Sequence, residues 1–148
     1  MIAVDTNVLV YAHRKDTDRH VQALSWLKTL AEGEIPWALP VFCLGEFLRV
    51  VTHRSIFPGP STPTQAMDAI DSILESPSAR VLNPSRSYYH LFRSAILEGN
   101  VKGNLVFDAQ IAALCRENGI KHLLTEDRDF SRFSMLSIIG LDADPGSY

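Results

Sequence analysis

Cysteine is scarce in this chain of 148 residues: Cys43 and Cys115 are the two present. They are far apart and in no metal-ligand spacing, which argues against a disulfide-stapled scaffold and a thiolate metal site. Two free thiols fit a reducing cytosol. Long apolar runs are missing, so no segment is expected to cross a bilayer. The chain does not open with a basic segment followed by an extended apolar core, so no signal peptide is expected. The five histidines are scattered and none has zinc-like spacing, so neither a zinc site nor a histidine base is expected. Internal repeats and low-complexity stretches are lacking as well. A strong excess of one charge is also absent, and the net −3 does not advertise a nucleic-acid binder.

What is present is ordinary for a soluble globular protein: 46% hydrophobic and 21% charged residues. The length predicts one domain over residues 1–148, enough to bury a core without staples. Ten of the 14 basic residues are arginine, the type suited to planar, bidentate phosphate contacts. That permits an RNA or DNA substrate without demanding one.

The first twelve residues organise the rest. Ile2, Ala3 and Val4 suit a strand buried on both faces. Asp5 ends it, and Thr6 and Asn7 are helix-starting types. Asp5 therefore stands at the carboxyl end of a strand, the edge where open α/β sheets bind ligands. By itself it reads equally well as a helix cap. Thr17 or Asp18 then caps a helix reaching about Glu32, with Val21, Leu24, Leu27 and Leu30 on one face and Gly33 as its stop. Trp37 to Leu39 reads as a second buried strand, and Pro40 opens a helix with Leu44, Phe47, Leu48 and Val51 inward. Ile56 to Thr64 is an internal loop with three prolines. Thr62 and Pro63 start a helix to about Glu75, with Ala66, Ile70, Ile73 and Leu74 inward, and Pro77 stops it. Arg80 to Leu82 is a short strand. Ser85 or Ser87 starts a helix carrying Leu91, Phe92, Ala95 and Ile96. Leu105 to Asn118 is helical, with Phe107, Ile111, Leu114 and Cys115 on one face and Asn118-Gly119 as a stop. His122 to Leu124 is a strand, Glu126 to Ser134 a polar loop or short helical turn, and Ser137 to Leu141 a last strand. Asp142 to Tyr148 reads as a frayed tail. Strands alternating with helices predict a parallel sheet covered on both sides.

Under that architecture four acids gather. Asp5 and Asp127 each follow a strand. Glu46 lies early in the helix after the second strand. Asp108 lies in the first turns of the helix feeding the strand before Asp127; the order of elements leaves open which way that helix end points. Setting these four charges aside turns the net charge of −3 into +1. Carboxylates held together raise one another's pKa, and a divalent cation removes that penalty. An oxygen-only cluster selects a hard ion such as Mg²⁺ or Mn²⁺. Such an ion acidifies water and offsets charge on a phosphate, which permits phosphodiester hydrolysis without a protein nucleophile.

The blocks VDTNVLVYA at 4–12, GEFLRVVTH at 45–53, VFDAQIAALC at 106–115 and LLTEDRDF at 123–130 resemble a PIN domain. More narrowly, nearly the whole chain resembles the VapC toxins of prokaryotic type II toxin–antitoxin modules. The resemblance implies a three-layer α/β/α sandwich around a central parallel sheet. It implies Mg²⁺-dependent RNA cleavage leaving 3′-hydroxyl and 5′-phosphate ends, with Asp5, Glu46, Asp108 and Asp127 as the catalytic acids. Asp5 and Asp108 match the direct metal ligands. Glu46 and Asp127 would act partly through waters, and Thr6, Asn7 and Thr125 match small polar positions that hold acids or waters. It further implies a cytoplasmic toxin, a VapB-type antitoxin as partner, operator DNA bound only through the complex, and a homodimer.

Several neighbours have plainer readings. Asp129 reads as a cap for the turn before Phe130, Glu126 as a solvated neighbour, and Phe130 and Phe133 as core or lid packing rather than base-stacking platforms. Tyr88 and Tyr89 are a helix start with one ring buried rather than RNA-stacking platforms. Arg14, Lys15, Arg49, Arg54, Arg86, Arg93, Arg128 and Arg132 are candidate phosphate contacts, of which two to four are expected to line the groove. A second class of function is a binding module acting through an antitoxin complex on operator DNA, and a PIN nuclease outside such a module is a third reading. A haloacid-dehalogenase-type hydrolase would need an acid where Asn7 stands. A receiver domain would need paired acids after the first strand, and a flap nuclease would need a longer chain.

Overall fold

Five short strands, all parallel, carry the centre of the molecule, and their brevity concentrates its burial. The computed structural model describes residues 1–148. The elements run β1 (Ile2–Val4), α1 (Thr6–His13), α2 (His20–Glu32), β2 (Trp37–Pro40), α3 (Val41–Val51), α4 (Pro63–Leu74), β3 (Ala79–Leu82), α5 (Tyr88–Glu98), α6 (Leu105–Glu117), β4 (His122–Leu124) and β5 (Ser137–Ile139). The sheet order is β3-β2-β1-β4-β5. Every residue of β1 and β2 is buried, as expected for strands covered on both faces. The chain steps from β1 through β2 to β3 and then returns across the sheet to β4. Right-handed crossovers put the helices of the two legs on opposite faces, giving the α/β/α sandwich.

Local chemistry explains most boundaries. Asp5 caps α1, its carboxylate accepting from the Thr6 N–H. Thr62 and Gln65 form a reciprocal capping box at the start of α4, with Pro63 in the first turn. Gly119, at φ +65°, ends α6 in the left-handed conformation that glycine adopts without strain.

Four expectations are corrected. The helix α2 starts at His20, not after Thr17 or Asp18, because the Thr17 hydroxyl donates to the Arg14 carbonyl (2.8 Å) in a preceding turn. Its inner face is Ala23, Trp26 and Leu27, while Val21 is 75% exposed. The Trp26 indole N–H donates to the Leu141 carbonyl (3.3 Å), which turns that face toward the chain's end. Leu74 is exposed at the last turn of α4. The tail is ordered: Asp144 caps a 3₁₀ turn at Pro145–Ser147, and the Tyr148 ring lies 5.9 Å from that of Trp26.

Candidate metal centre

Between β1 and β4 the strand order reverses, and a crevice opens outside their carboxyl ends. The register Val4↔Leu124 sets Asp5 beside Thr125. Asp5 is buried, with three donors on its carboxylate: the Thr6 N–H (2.7 Å), the Asn7 side-chain amide (2.8 Å) and the Thr125 hydroxyl (2.7 Å). Thr125 is fully buried and fully used. Its oxygen donates to Asp5 and accepts from Asn7 and from the Asp127 N–H, both at 3.0 Å. This network locks the ends of two strands to the start of α1.

Glu46 sits on the second turn of α3, half-buried, and accepts from the Thr6 hydroxyl (3.0 Å). Its other oxygen is 4.0 Å from Arg49. Asp108 enters from the first turn of α6. Asp127 caps the 3₁₀ turn Arg128–Arg132, accepting from the Asp129 N–H (2.8 Å). Asp5, Glu46, Asp108 and Asp127 line one cavity of about 220 Å³, together with Thr6, Asn7 and Tyr11. The helix end left open by the sequence therefore points to the same rim.

Asp5 and Asp108 resist ionisation there. Burial pushes Asp5 up to about 6, against the lowering pull of its hydrogen bonds from Thr125 and Thr6, with Glu46 and Asp127 adding repulsion. Asp108 rises to about 7, first through burial and then through the charges of Asp127, Asp5, Glu46 and Asp129. Oxygens of Asp108, Asp127 and Asp129 lie within 4.8 Å of one another. Repelling carboxylate oxygens at this spacing, with no sulfur or imidazole among them, fit a hard divalent ion.

Asp129 corrects the sequence reading. It is Asp127 that caps the turn, while Asp129 faces the acidic cluster and lies 3.6 Å from Arg132. Glu126 is not merely solvated: it accepts from the Leu141 N–H (2.7 Å) and pairs with Arg19 (3.0 Å). Phe130 and Phe133 are core, as expected. Phe107, expected on the inner face of its helix, is 52% exposed and lines a second acidic cavity, of about 510 Å³, with Glu46, Asp108, Asp127 and Asp129. Its place beside Asp108 was the only signal, and helical periodicity assigned it inward. Arg14 is spent on Asp16 and on the carbonyls of Pro58 and Gly59. Arg49 lines this second acidic cavity and keeps 61% of its side chain exposed.

Comparison with known proteins matches this geometry to a family. Residues 2–135 match the family model of the PIN domain. The VapC ribonuclease Mb2897 of Mycobacterium bovis is 40% identical over 136 residues, 92% of each chain. Among solved structures, the Mycobacterium tuberculosis VapC20, a sarcin–ricin loop cleaving toxin, is similar at a TM-score of 0.67 and 21% identity, covering 88% of this chain and 93% of that one. VapBC2 from Rickettsia felis, bound to a DNA fragment from its promoter, is similar at a TM-score of 0.65 and 23% identity, covering 95% and 98%. The two structures share the fold, the M. bovis relative shares sequence along nearly the whole length, and the chain belongs to the PIN-domain family, in its VapC branch.

Proposed function

We propose that this chain is the ribonuclease toxin of a toxin–antitoxin pair, folded as one domain over 1–148, and that Asp5, Glu46, Asp108 and Asp127 are its catalytic acids. Asp5 and Asp108 would ligate Mg²⁺, or Mn²⁺ in its place, directly. The observation that carries the reading is the meeting of acids from four separate segments in one cavity at the strand-order reversal. Kinship with a VapC ribonuclease at 40% identity supports RNA as substrate.

A bound divalent ion supplies a more acidic water and offsets negative charge on the phosphate. The chain's own residues do the rest. Thr6, Asn7 and Thr125 fix the Asp5 carboxylate so that it needs no reorganisation. The Thr6 hydroxyl holds one oxygen of Glu46, and the other lies 4.0 Å from Arg49. Glu46 and Asp127 orient the attacking water and take its proton. The water oxygen bonds to phosphorus, the bond from phosphorus to O3′ breaks, and O3′ takes a proton from solvent. Arg49 stands where a flanking phosphate would lie.

A VapB-type antitoxin covering the acids, with operator DNA bound only by the pair, accords with the likeness to VapBC2. Exposed Tyr89 and Leu97 on α5 offer a face for a second copy of the chain. No helix is long and apolar enough to cross a membrane, and a toxin restrained by a partner and acting on cellular RNA works in the cytoplasm.

The test is cleavage of total RNA with Mg²⁺. Asp5→Asn keeps a capping side chain and should remain folded, yet lose on the order of 10³-fold in rate, the several kcal/mol that metal-assisted chemistry supplies. Undiminished cleavage by that variant, or in excess EDTA, would falsify the assignment.

A further inference from the structure

Next to the acidic cavities lies a further cleft whose apolar walls the chemistry above does not use. It has a volume of about 230 Å³ and runs between α3 and α6, lined by Phe42, Gly45, Glu46, Arg49, Phe107 and Gln110. Glu46, Arg49 and Phe107 line both this cleft and the second acidic cavity, and Glu46 also lines the cavity that holds Asp5. We propose that this cleft seats the unpaired nucleobase that flanks the scissile phosphodiester.

The walls have the chemistry of a base site. Unpaired bases are recognised by stacking on aromatic faces or guanidinium planes and by hydrogen bonds to their edges. Phe42 is a fixed wall, its ring 5.8 Å from Tyr88, which in turn stacks on Phe92 at 5.7 Å. Phe107 is the opposite case: a large apolar ring, half exposed, one residue before Asp108. A base stacked on this phenyl would cover its open face beside the carboxylates. Arg49 adds a planar cation, and Gln110 an amide able both to donate and to accept.

Size and position agree with these walls. The volume is below the roughly 300–1,000 Å³ of clefts that enclose drug-sized ligands, so it suits a single flat ring system. Gly45 keeps the cleft open: a Cβ built there meets nothing within 4 Å, so a larger side chain would fill the space rather than collide with the backbone. A phosphate held at the acids is tied through one ribose to its flanking base, and the shared rim puts the cleft within that reach. An aromatic side chain of a protein partner would find the same apolar walls. The continuity with the phosphate-binding space and the cationic Arg49 favour RNA.

The inference rests on the ribonuclease reading, and the experiment separates the two. Random-sequence single-stranded RNA with 2-aminopurine replacing adenine is titrated onto the Asp5→Asn form in Mg²⁺, while wild-type cleavage is followed in parallel. Binding should quench the 2-aminopurine fluorescence. Phe107→Ala and Gly45→Leu should abolish the quench and weaken binding about ten-fold, the loss of one base stack, whereas Phe107→Trp should retain it. Melting curves confirm that Gly45→Leu is folded. A quench that survives both Phe107→Ala and Gly45→Leu overturns the base site, and Asp5-dependent cleavage then stands alone. The quench pattern without any cleavage by wild type supports the base site and removes the ribonuclease reading. Unchanged RNA binding with loss of antitoxin binding in the two variants overturns the proposal in favour of a protein occupant.

Discussion

Asp108 holds a carboxylate in a place that disfavours its charge. It is half-buried, and four other acids face it. Without a cation, Asp108→Asn should therefore stabilise the protein. The expected gain at pH 8 in EDTA is roughly 1–2 kcal/mol, less than the pKa of about 7 alone would give, because water screens a half-buried group. A chemical denaturation midpoint that moves down on this substitution would contradict the repulsion. Thr125→Val should do the opposite. It removes a donor from buried Asp5 and acceptors from Asn7 and the Asp127 N–H, costing about 1–3 kcal/mol by the same measurement. At this scale the sequence discloses Asp5, Glu46, Asp108 and Asp127 as candidates because two follow strands and two lie in the early turns of helices. Glu126 and Asp129 have the same local context and opposite fates. The partner that decides Glu126 is the Leu141 N–H, and the neighbour that decides Asp129 is Asp108; neither is adjacent along the chain.

Helices give a second, separate test. Gly45 lies inside α3, exposed, and a methyl group there meets no atom within 4 Å. Gly45→Ala should raise stability by about 0.8–1 kcal/mol through helix propensity alone, read as a higher melting temperature with unchanged cooperativity. No gain would mean that the cleft beside it is already filled. Element ends were legible wherever the chemistry is local: Thr62-Pro63 at one helix start, Gly119 at one helix end, Asp5 at another start. Rotations were less so. Periodicity places Val21, Leu24, Leu27 and Leu30 on the inner stripe of α2, but Trp26 gains more by burial than Val21 does. Its N–H also finds the Leu141 carbonyl, 115 residues away. Phe107 was misplaced for a related reason: helical spacing alone does not tell which side of α6 meets the sheet and which meets the cleft.

The whole molecule should respond to divalent ions in a pH-dependent way. Asp5 and Asp108 are displaced upward, to about 6 and about 7, from the ~4 of an unfolded aspartate. The metal-free folded form therefore binds more protons than the unfolded one between these values. Their contribution to stability is greatest at the acid end and falls as pH rises toward 7. Mg²⁺ competes with those protons, so it should raise the melting temperature more at pH 8 than at pH 5. At a hundred-fold excess over Kd the expected gain is about 2.7 kcal/mol, or roughly 5–10 °C for a chain of this size. Equal shifts at both pH values, or none, would deny the acids a common ion. The alternation of strands and helices was enough to anticipate a parallel sheet, but not the strand order, since no single residue encodes which strand becomes central.

That order has a consequence for synthesis. Asp5 is synthesised 120 residues before Thr125, whose hydroxyl fixes it, and β1 is flanked on one side by β4. A nascent chain paused anywhere before about residue 125 lacks the strand that completes the crevice, and with it Asp127. The acidic rim is therefore assembled only once β4 has joined β1, and a chain that stops short of Thr125 holds no complete acidic centre.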